Sequence, residues 1–107
     1  MSTILQRLAR WARDLTPGDI PPSVLARARL QHLSTAGAVR AVKGRPVAAA
    51  LSRVNRGGGK VPRVTGGSSS ARESVRLHAG LAGWLSYDDT LFLASPSPGA
   101  VSAAWAA

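Results

Sequence analysis

The chain has 107 residues, a length that suits one domain with a modest core. It has no cysteine, which excludes disulfides and thiolate metal sites, and its two histidines are too few for a metal centre. Fourteen Lys and Arg against five Asp and Glu leave a net charge of +9, which favours anionic partners without deciding the fold.

Ser2 or Thr3 can cap a first helix running to about Leu15. Ile4, Leu5, Leu8, Trp11, Ala12 and Leu15 recur at helical spacing on one face, and Gln6, Arg7, Arg10, Arg13 and Asp14 take the other. Thr16-Pro17-Gly18-Asp19 has the composition of a turn. Pro22 then opens a second helix to about Val42, with Val24, Leu25, Ala28, Leu33, Ala36 and Val39 as its apolar contacts. Gly37 inside it weakens the helix unless another helix packs closely there. His32, among apolar neighbours, reads as a hydrogen-bonded core or boundary histidine.

Lys43-Gly44-Arg45-Pro46 breaks the chain, and a short third helix covers Val47 to Val54. Asn55 to Lys60 is glycine-rich, but its spacing is wrong for a phosphate loop and Val61 stands where a hydroxyl would hold magnesium, so it reads as a turn. Val61 to Thr65 can be extended, and Gly66 to Ser69 is loop. Ser70 with Glu73 three residues on fits a capping box for a fourth helix, about Ala71 to Leu85, with Val75, His78, Ala79, Ala82 and Leu85 on one stripe. A polar break follows at Ser86, Tyr87, Asp88, Asp89 and Thr90. After a loop with Pro96, Pro98 and Gly99, a fifth helix starts at Ala100. The expectation is an all-α fold, a single helical domain over residues 1–107.

All fourteen basic residues precede Leu77, while Asp88 and Asp89 follow it. The arginines are scattered and only five residues are aromatic, which argues against nucleic acid. No segment has the apolar length of a membrane span, and the first residues lack an apolar signal region, so a cytoplasmic protein is expected.

The stretch from Leu81 to Val101 carries a resemblance. The run Tyr87-Asp88-Asp89-Thr90, the run Ser97-Pro98-Gly99-Ala100, the segment Leu8 to Leu33 and the VPRVTGGSSSAR segment resemble the N-terminal part of the MmgE/PrpD family. That family includes 2-methylcitrate dehydratase, cis-aconitate decarboxylase and iminodisuccinate epimerase, and its members are several times longer. The resemblance implies the first part of a helical domain whose later helices are absent here. Completion by dimerisation, by helix exchange or by a larger relative is then expected, because uncovered apolar stripes mark association surfaces. It places Asp88, Asp89 and Thr90 at the catalytic positions, with Ser86, Tyr87, Ser97, His78 and Arg76 as candidate ligand contacts. Ser86 stands where the family has an aspartate, and Ser97 and Trp84 stand where it has histidines. Serine supplies little acid–base capacity near neutral pH, so the family's dehydratase mechanism is not carried over. Asp88 and Asp89 read equally as capping or ion-pairing groups. The resulting expectation is a shortened relative that binds an anionic small molecule or peptide, with any lyase, isomerase or cyclase chemistry arising from positioning and with no cofactor. The alternative is a non-catalytic subunit of a longer relative.

Overall fold

The computed structural model describes residues 2–54, 58–85 and 95–107. Among them are five α-helices and a two-stranded antiparallel sheet. Helix α1 spans Ile4–Asp14 and is opened by a reciprocal capping box. Thr3 Oγ1 accepts from the Gln6 N–H at 3.2 Å, and Gln6 Oε1 accepts from the Thr3 N–H at 2.9 Å. The chain then turns through one 3₁₀ turn, Pro17–Asp19. The Asp19 carboxylate accepts from the Thr16 hydroxyl at 2.7 Å and the Thr16 N–H at 2.9 Å. Those hydrogen bonds, the hydroxyl's first, hold the Asp19 carboxyl below its usual range.

Helix α2 spans Pro22–Ala41, with proline at a first-turn position where no N–H is needed. Helix α3 spans Pro46–Val54. Strands β1, Val61–Pro62, and β2, Ser68–Ser69, pair antiparallel with Val61 opposite Ser69. The serines expected in a loop therefore form a strand, because Gly66 and Gly67 take positive φ and turn the chain back onto β1. Helix α4, Ala71–Gly83, is capped by Ser70 Oγ, which accepts from the Glu73 N–H at 3.3 Å. It ends two residues short of the expected Leu85. Helix α5 runs Pro96–Ala106, four residues earlier than the expected start at Ala100. Pro96 and Pro98 occupy its first turn, where proline's missing N–H costs nothing. The glycine turn expected at Asn55 to Lys60 lies partly outside the described residues.

Helix α4 is the hub. It packs most extensively on α5, then on α2 and α3, and it touches both strands. The buried cluster is Val39 and Val42 from the end of α2, Ala48 from α3, and Leu77, Leu81 and Ala82 from α4. Val47, Leu51, Val64, Leu85 and Trp105 pack around it. This is a small core, shared by the end of α2, α3 and α4. Helix α1 contributes no buried residue. The Cα radius of gyration is 15.5 Å, against roughly 13 Å for a compact chain of this length. The all-helical expectation thus holds apart from the short hairpin. No described helix is long and apolar enough to cross a membrane.

Close packing would have justified Gly37, but a Cβ there would meet no atom within 4 Å. The residue carries the full conformational cost of glycine in a helix with no packing gain. Replacing it by alanine should raise stability by about 0.5–1 kcal/mol in urea unfolding; a loss of stability would show that α2 is held there by something other than its own backbone.

Candidate functional site

Two histidines converge on one tryptophan. His78 projects from the middle of α4 and is fully buried. The Val64 N–H, just beyond β1, donates to His78 Nε2 at 3.0 Å. Nε2 therefore carries a lone pair, and the proton of the neutral ring sits on Nδ1. That N–H donates to Ser74 Oγ, one turn earlier on α4 and also buried, at 3.3 Å. Trp105 of α5 meets the His78 ring edge-on, with centroids 5.4 Å apart and planes at 85°. The Trp105 indole N–H in turn donates to His32 Nδ1 on α2 at 2.9 Å. The chain of contacts links the hairpin, α4, α5 and α2.

This arrangement does not take up a proton readily. Protonating His78 would destroy the hydrogen bond from Val64 and place a charge in a buried site. Burial, and secondarily the Arg63 guanidinium, hold His78 below its ordinary value of 6.5. Both ring nitrogens are engaged, so His78 acts as a structural fastener between α4 and the hairpin. Beside it a cleft of about 520 Å³ opens between α2, the β1 segment and α5, lined by His32, Leu33, Ala36, Pro62, Arg63, Val64, His78 and Trp105. Apart from Arg63 and the histidine rings its walls are apolar, which suits a hydrophobic group.

The expected site residues fall in different places. Ser86, Tyr87, Asp88, Asp89 and Thr90 lie outside the described residues. Ser97 is buried in the first turn of α5, one turn into what was expected to be loop. Arg76 lies on α4, where its Nη2 donates to Glu73 Oε2 at 2.6 Å and to the Val54 carbonyl at 3.0 Å. It ties the end of α3 to α4. His78 and Ser97 belong to the interior of the α4–α5 layer, and Arg76 to its rim.

Sequence reading did not single out Trp105, Val64 or Arg63. The Trp105–His32 hydrogen bond joins residues 73 apart in sequence, a separation that helical periodicity does not report. The apolar surroundings of His32 and the stripe position of His78 were the available signals, and both pointed to interior or boundary positions. Among the described residues no group of three His, Cys, Asp or Glu side chains could hold a metal ion. Comparison of the chain with protein-family models, with curated proteins and with solved structures finds no match.

The depressed His78 gives stability a definite pH dependence. A base whose folded-state affinity for protons is lowered stabilises the fold fully above its unfolded value of about 6.5 and loses that contribution as pH falls through it toward the native value. The melting temperature should therefore drop between pH 7.5 and pH 5.5. His78→Gln should melt lower at pH 7.5 and show a flatter profile. An unchanged wild-type melting temperature across that window would show that His78 titrates alike in both states.

Proposed function

We propose that this chain is a helical binding module that works as a homodimer and takes an anionic small molecule or peptide. The observation that carries the assembly is the open apolar stripe of α1. Ile4 is 80 % exposed, Leu5 77 %, Leu8 55 % and Trp11 60 %. They share one side of a well-capped helix that buries none of its residues. Val24, Leu30 and Leu33 on α2 are also exposed.

Magnitudes decide how much surface is needed. Fully burying a large apolar side chain contributes about 1.5–3 kcal/mol, so the four on each α1, eight in a two-fold pair, offer roughly 12–24 kcal/mol at most. Association costs about 4–15 kcal/mol in lost freedom and side-chain ordering. Two paired α1 stripes are therefore enough to meet the cost. The occupant is a second copy. Arg10 and Arg13 lie away from the stripe, and Arg7 borders it beside Ile4, Leu8 and Trp11, so two α1 helices can close on each other with Arg7 kept at the rim of the seam. A shared two-fold face is the commonest solution for such a surface.

The ligand class follows from charge: the basic excess favours anions. Binding and positioning are the activity proposed, since both nitrogens of His78 are engaged in holding the fold.

Light scattering on the purified chain should give twice its 11.1 kDa mass at tens of micromolar protein. Leu8→Asp and Trp11→Asp should shift the species to monomer and leave the helical content nearly unchanged, because neither residue contributes to the core, while the unfolding midpoint falls and loses its dependence on protein concentration. A wild-type monomer that acquires a partner only on coexpression with a longer helical protein would replace the homodimer with a subunit role.

A further inference from the structure

A second cleft, of about 330 Å³, lies on the other side of Arg63, between the α2–α3 turn and the hairpin turn. Lys43 and Arg45 come from the first, Arg63 and Thr65 from the second, and Ser52 from α3. We propose that this cleft is a binding site for a phosphate group carried by a small molecule. The proposal rests on the reading of the chain as an anion-binding module, and it names the place and the chemistry.

Charge balance is the first reason. Three cations line a space of that size. Among the described residues the acidic side chains are committed elsewhere: Asp14 to Arg13, Glu73 to Arg76, and Asp19 to Thr16. No carboxylate neutralises Lys43, Arg45 or Arg63 within the described chain. A monoanionic carboxylate would offset one of the three charges, whereas a phosphate monoester near neutral pH offsets nearly two.

Hydrogen bonding is the second reason. Arg63 Nε is sealed from solvent, but the side chain as a whole is only partly buried and lines the cleft. A tetrahedral oxyanion supplies several acceptors, and guanidinium groups match its geometry with paired N–H donors. Thr65 and Ser52 add hydroxyl donors on the same lining. Gly44 and Gly66 lack side chains there, so an oxyanion can approach the backbone.

Arg63 is held in place by the hairpin itself. The Arg63 N–H donates to the Gly67 carbonyl at 3.0 Å, and the Gly66 N–H donates to the Arg63 carbonyl at 2.9 Å. Gly67 has φ +73°, and a Cβ built on it would stand 2.6 Å from an Arg63 terminal nitrogen. The guanidinium lies across the face of that glycine. Gly67→Ala would crowd the guanidinium and strain the hairpin turn at φ +73° while keeping every charge, so it disturbs the placement of Arg63 without removing it.

The test is a titration of the full chain with inorganic phosphate and with phenyl phosphate at constant ionic strength, followed by the backbone amide signals of Gly44, Ser52, Thr65 and Gly66. Saturable shifts confined to those amides are expected, with acetate at least tenfold weaker. Arg63→Ala and Arg45→Ala should each weaken phosphate at least tenfold, and Gly67→Ala should do so with all charges retained. An unchanged Trp105 indole signal reports that the α4–α5 layer is intact in each variant. Shifts that never saturate, that spread over all arginines, or that acetate reproduces at equal concentration would overturn the site. Light scattering on the same samples keeps the two readings apart. A dimer without saturable shifts refutes only the phosphate cleft, and a monomer with them refutes only the dimer.

Discussion

The described structure depends on a buried, neutral histidine. His78 accepts from the Val64 N–H and donates its own N–H to Ser74, so a hairpin with only two residues in each strand is fastened to the central helix. Such a hairpin is marginal on its own. Trp105 closes over the same ring and reaches His32, which brings α5 and α2 into register with α4. The apolar cluster supplies the bulk of the cohesion, but the polar chain through His78 decides which elements meet. In a low-dielectric interior such a network holds only while every member is satisfied.

That fastening sets the position of Arg63. Val64 is pinned to His78, and the neighbouring arginine is left between two clefts of opposite character. One is apolar and edged by His32, His78 and Trp105; the other is lined by three cations. The guanidinium also presses on His78 electrostatically, as the second cause of its depressed proton affinity. Arg63 lines both clefts, so the two share a single side chain.

The molecule is uneven from end to end. Helices α2 to α5 share a core around α4, whereas α1 is a well-capped amphipathic helix with nothing buried on its apolar side. Its capping box and clean separation of faces stabilise the helix locally, but short isolated helices are marginal in water and draw most of their stability from packing. A surface of that kind is consistent with a body finished by another chain.

The amino-acid sequence by itself determined the local matters. Apolar spacing located all five helices to within a few residues, Thr3 and Ser70 were legible as caps, and the proline at the start of α2 was legible as a helix opener. These depend on neighbours three or four positions apart, which the chain order records. It misplaced the start of α5, reading Pro96 and Pro98 as loop when they form a first turn, and it missed the β2 pairing, which needs two positive-φ glycines to return the chain onto β1. Only the tertiary structure decided that His78 is a fastener, that Arg76 holds the end of α3, and that Lys43, Arg45 and Arg63 line one space. Each of those roles depends on groups 14 to 22 residues apart meeting across the fold, and no periodicity in the chain encodes such a meeting.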